Sequence, residues 1–116
     1  MTPISKMTLA LALSCVLPLT ACSHDEIAAA CSSQTDCDDG FNVAGCASER
    51  EGALAEMSAR CGADAEAAAL AVYACFADAG CDADREAVCA DELAAFETAA
   101  DAAGDGCVDA PRPTVP

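Results

Sequence analysis

Between Ser48 and Gly104 the apolar positions recur at the spacing of a helix face, and each run is punctuated at both ends. Ser48-Glu49-Arg50-Glu51 has the form of a capping box, serine with glutamate three residues on, and Gly62 is placed to end that helix. Leu54, Met57 and Cys61 fall on one of its faces. Asp64 is a cap for a second helix through "AEAAALAVYACFADA", which stops at Gly80. Asp82 or Asp84 opens a third, with Cys89, Leu93, Phe96, Ala100 and Ala103 as its stripe and Gly104 as its end. Alanine, the best helix former, fills most other positions. A short segment, Glu26 to Cys31, precedes the non-helical stretch "SSQTDCDDGFNVAG" and has helical character of its own. The links Gly62-Ala63 and Gly80-Cys81 are too short for anything but antiparallel neighbours. No strand alternation appears. The pattern predicts an all-α fold, a small antiparallel three-helix bundle behind a short cross-linked N-terminal segment.

A different pattern occupies the start of the chain. Met7 to Leu17 is an unbroken run of apolar and small residues behind a short segment carrying the only lysine, Lys6. Its length suits the core of a secretion signal and is too short to span a bilayer. The run ends in Leu19-Thr20-Ala21-Cys22. Ordinary signal cleavage asks for a small residue at position 19, and leucine stands there. The four residues instead resemble the bacterial lipobox, an aliphatic residue and two small ones before a cysteine. That resemblance implies that the Cys22 thiol receives a diacylglycerol and that cleavage falls between Ala21 and Cys22. It further implies that Ser23, a non-aspartate after the anchor, sends the protein to the outer membrane where the host has one. The chain is then expected to divide into a signal peptide (1–21), an anchor and tether (22–24), a helical domain (25–108) and a proline-rich, mobile tail (109–116).

Cysteine usage changes the picture of stability. Cys15 lies in the signal and Cys22 is the anchor; eight others remain, Cys31, Cys37, Cys46, Cys61, Cys75, Cys81, Cys89 and Cys107. An even set in an exported protein predicts four disulfides. From Cys22 onwards the chain has only 12 Leu, Ile, Val and Phe, and sets 20 acidic side chains against four arginines. Such a composition belongs with disordered chains unless cross-links intervene. The expected domain folds when oxidised and unfolds when reduced. The mature part also resembles small, Ala-rich, Cys-rich helical lipoproteins of bacteria. The shared features are Cys46, Cys61-Gly62, the stretch Leu70 to Cys75, and Cys89-Ala90-Asp91-Glu92-Leu93-Ala94-Ala95. That group brings no known activity with it.

Heights in the predicted bundle choose among the pairings. Cys75 lies five residues below Gly80 and Cys89 about as far below the start of the next helix, so Cys75–Cys89 is the best-supported bridge. Cys61 and Cys107 both sit at the bottom and pair. Cys46, placed ahead of the first long helix, lies near Cys81 at the top, which leaves Cys31–Cys37. The last two bridges exchange readily into Cys31–Cys46 with Cys37–Cys81, and the heights do not separate the alternatives.

The remaining motifs carry little chemistry. No Cys-x-x-Cys occurs, the shortest cysteine gap being five residues, which disfavours a redox site. His24 is the only histidine and reads as a tether residue, not a zinc ligand. "DCDDG" suggests a calcium loop, but setting Gly40 at position six puts Thr35, Cys37 and Asp39 at the acid positions and Cys46 where the bidentate glutamate belongs. The acids of "CDADRE" suit the positive end of a helix dipole. Neither a catalytic triad nor a distinguished carboxylate pair can be assembled. The formal net charge of −15 disfavours nucleic acid and has solubility as its simplest role. The expected function is therefore that of a membrane-anchored, non-enzymatic envelope lipoprotein of structural or interaction type. It needs no cofactor or metal; its partners are the membrane, through Cys22, and an unidentified protein. The alternative is an acidic protein that binds or sequesters cations.

Overall fold

The computed structural model of the chain describes residues 24–116. The signal segment 1–21, the lipobox with Cys22, and Ser23 lie outside the described residues. The helices are α1 (Asp25–Ser33), α2 (Val43–Cys61), α3 (Ala63–Ala79), the single turn α4 (Arg85–Val88) and α5 (Ala90–Ala103). Short 3₁₀ turns cover Gln34–Asp36 and Asp105–Cys107. No strand occurs among the described residues.

The centre of the bundle is α3. It packs against α1, α2, α4 and α5. Its sequence explains why, because a helix that is apolar or small on nearly every side has no polar face to show to water. Ala65, Ala69, Val72, Tyr73 and Phe76 are all buried. The segment expected to lead into the bundle is itself a packed helix. In α1, Ile27, Ala30 and Cys31 follow helical spacing and are fully buried.

Helix ends follow the glycines. Gly62, Gly80 and Gly104 have φ of +92°, +79° and +96°, a region that other residues enter only at a cost. Each one ends a long helix, and Gly62 also stands as the first residue before α3, so one residue makes the whole turn. Helix starts differ more from expectation. Helix α2 begins at Val43, five residues ahead of Ser48, because the Asn42 side chain accepts a hydrogen bond from the Gly45 N–H at 2.9 Å. A β-carbon on Gly45 would lie 2.6 Å from Asn42 Nδ2, so this cap depends on the glycine. Asp64 lies inside the first turn of α3 and does not cap it. Asp84 does cap its helix, accepting from Ala87 N–H at 3.3 Å. The third expected helix is broken at Cys89 (φ −101°, ψ 23°), and α5 restarts there with Leu93 N–H bonded to the Cys89 carbonyl.

Four disulfides staple these elements. The structure joins Cys75 to Cys89 and Cys61 to Cys107, with Cα separations of 5.9 and 4.8 Å. It joins Cys31 to Cys46 and Cys37 to Cys81, at 5.9 and 6.0 Å, in place of Cys46–Cys81 and Cys31–Cys37. The reason is the early start of α2. It puts Cys46 inside the first turns of that helix, against the buried Cys31 of α1, while Cys37 in the following loop reaches the turn after α3.

The proline-rich end is not mobile in this structure. Residues 111–116 have no regular secondary structure but lie on the bundle, with Pro113 buried and Val115 packed on the core.

Candidate functional site

His24 is part of the fold and not a tether. Its backbone N–H donates to Glu51 Oε2 at 2.6 Å, and its Nδ1 lies 2.8 Å from Glu51 Oε1. Its Nε2 faces Glu66 Oε2 at 3.8 Å, and Ser58 Oγ holds the other oxygen of Glu66 at 2.9 Å. Glu51, expected as the partner of Ser48 in a capping box, instead places its carboxylate at the start of α1, where the helix dipole favours it. The one histidine of the chain thus faces two carboxylates and no nucleophile. Sequence spacing could not show this, because His24 and Glu51 are 27 residues apart and meet only through packing.

Two groups of sulfur and carboxylate atoms lie close together, Cys37, Cys81 and Asp82, and Cys75, Cys89 and Glu92. In both, the two sulfurs are bonded to each other, so neither offers the thiolate that a soft metal requires. Within "DCDDG", Asp38 Oδ1 accepts from the Gly40 N–H at 3.2 Å, a local turn contact. An open depression beside Cys75–Cys89 is lined by Ala71, Ala74, Asp78, Ala79, Val88 and Glu92.

Arg85 is the one charged residue buried among the described residues, at 6% exposure. Its Nη2 donates to Gln34 Oε1 at 2.8 Å, while its Nη1 has no partner. A buried cation with one neutral acceptor is poorly compensated. Arg85→Met, similar in reach and apolar, is therefore expected to change stability by less than about 1 kcal/mol. Gln34→Ala, which strips the guanidinium of its acceptor, should cost about 1–3 kcal/mol. Denaturant midpoints of the two variants check this order, and a reversed order would show that the charge itself is stabilising.

The richest set of polar contacts surrounds the end of the chain. Arg50 Nη2 donates to the Val115 carbonyl at 3.0 Å, and Arg112 Nη1 donates to the Cys107 carbonyl at 3.3 Å. Arg112 also pairs with Glu97 at 3.3 Å and lies 5.4 Å over the Phe96 ring. Burial pushes the Tyr73 hydroxyl above its ordinary pKa of 10.0, opposed by Arg50 and by a backbone hydrogen bond with Thr114. None of these residues was marked by sequence reasoning. Composition suggested only a solvated tail, and the signal that existed was the alternation of Pro111, Pro113 and Val115 with polar neighbours. Comparison with protein families, with curated proteins and with solved structures finds no match for this chain.

Proposed function

We propose that the protein is an exported, lipid-anchored and non-enzymatic envelope component of structural or interaction type, held through Cys22. The observation that carries this reading is Leu19-Thr20-Ala21-Cys22 at the end of the apolar run. Cysteine parity supports it. The eight cysteines from Cys31 onwards are all paired with one another, so the domain asks nothing of Cys22. Four disulfides also suit an oxidising compartment. No helix among the described residues is long and apolar enough to cross a membrane, so attachment would fall to the lipid.

On this reading the three long helices α2, α3 and α5, with α1 laid against them, form the working body. Because His24 is clamped to Glu51, only Ser23 is left between anchor and domain. At about 3.3–3.6 Å per extended residue, α1 would begin within roughly 10 Å of the headgroups. The reach of the protein across the envelope is correspondingly short.

Each buried methylene of the acyl chains contributes about 0.8 kcal/mol to attachment, so a chain set of dozens holds effectively for good. Cys22→Ser is expected to leave unprocessed precursor or protein released from membranes, with the helical domain intact. Intact mass spectrometry of membrane-bound wild type should show the acyl mass on Cys22. An unmodified Cys22 in membranes would sink the proposal.

A further inference from the structure

The residues under the end of the chain form a trough along helix faces. Ala53, Leu54 and Met57 of α2 line one side and Ala69 and Tyr73 of α3 the other, with Pro111 and Pro113 seated between them. Arg112 leaves the trough towards α5, where Phe96 and Glu97 receive it. The occupant alternates, with Pro113 buried, Thr114 exposed and Val115 partly covered, as an extended strip does. Proline suits such a strip because its fixed φ leaves little backbone entropy to lose on docking.

Three features point beyond a merely folded chain end. All four disulfides lie before Val108, so noncovalent contacts alone hold 111–116 in place. The trough keeps an unused donor, Arg50 Nε, buried without a partner beside the Val115 contact. And the receiving surface is acidic, in a chain of net charge −15, which draws in extended segments that carry a cation. We propose that this trough is a docking site for a proline-rich segment of a partner protein, with a basic residue between its prolines. Pro111–Pro116 is its built-in competitor. Aromatic and apolar walls that grip a preformed extended strip are a recurring mode of peptide recognition. The inference gives the interaction reading a chemistry and depends on it only for biological setting. It does not depend on Cys22, so failure of either leaves the other standing.

Tyr73 makes the test direct, since the chain has one tyrosine and no tryptophan. The full chain in detergent and a form lacking residues 111–116 are each titrated with the peptide Ala-Pro-Arg-Pro-Thr-Val-Pro, and Tyr73 emission is read. The shortened form should bind saturably with a Kd on the order of 0.1 mM. The full chain should bind about tenfold more weakly, because its own segment competes at an effective concentration of about 1 mM. A peptide with glutamate in place of arginine should be rejected. Helicity and disulfide content are verified first; if shortening has cost either, the full chain carrying Arg112→Glu replaces it, as the reversed charge beside Glu97 releases the segment. No saturable Tyr73 response, or equal binding of both peptides, overturns the proposal. So does a concentration-dependent dimer that disappears on removing 111–116, which would assign the trough to exchange between copies.

Discussion

Reduction of the four disulfides is expected to unfold the domain outright, with loss of most far-UV helical signal and of any cooperative thermal transition. The large fully buried side chains are few, chiefly Phe76, Phe96, Ile27, Met57 and Val72, and much of the remaining core is alanine and cysteine. Against them stand 20 acidic side chains whose mutual repulsion grows as the chain compacts. In the chain-entropy model, the bridges of separation 14 and 15 contribute about 3 kcal/mol each and those of 44 and 46 about 4 kcal/mol each. Overlapping loops keep these from adding in full. Even so, they match the roughly 5–15 kcal/mol of a whole small domain. Circular dichroism with thiol counting, before and after reduction, checks the result. A cooperative transition in the fully reduced protein would show that the alanine interfaces suffice.

Phe76→Ala should be the most damaging single core substitution that leaves every disulfide in place. Phe76 is fully buried on α3, the helix against which α1, α2, α4 and α5 all pack. It meets the Tyr73 ring edge-on, with centroids 6.1 Å apart and planes at 84°, so truncation also removes an aromatic pair. The expected cost is about 3–5 kcal/mol, transfer and cavity terms together. It should appear as a lower denaturant midpoint at unchanged slope. Val88→Ala is the control, since Val88 is 58% exposed and should shift the midpoint little. Equal shifts in the two variants would remove α3 from its central place.

The elements that could be read in advance were those governed by local chemistry. Gly62, Gly80 and Gly104 were expected to end helices, and they are the positive-φ residues of the described chain. The all-helical class followed from alanine content and the spacing of Leu54, Met57 and Cys61. What escaped was decided by competition between local signals or by packing. Asn42 and Ser48 are both respectable caps; the earlier one wins because Gly45 lets its side chain in close. That shift alone moves Cys46 into a helix and redirects two disulfides. Glu51 was legible as an acid near a helix start, but the helix is α1 and not its own. Pro111 to Pro116 read as solvated because composition cannot register a trough built from residues 40 to 60 positions away.

The order of the bridges along the chain has a topological consequence. Cys37–Cys81 interleaves with each of the other three, Cys31–Cys46, Cys61–Cys107 and Cys75–Cys89. Every peptide bond from Cys31 to Cys107 is therefore spanned by at least one disulfide. A single proteolytic nick anywhere in that interval, including the exposed stretch Asp38 to Gly40, leaves both pieces covalently joined. The nicked protein gains only the mass of one water and sheds no fragment. Chain continuity and covalent integrity are thus separate properties in this molecule, and only a reductant reveals which has been lost.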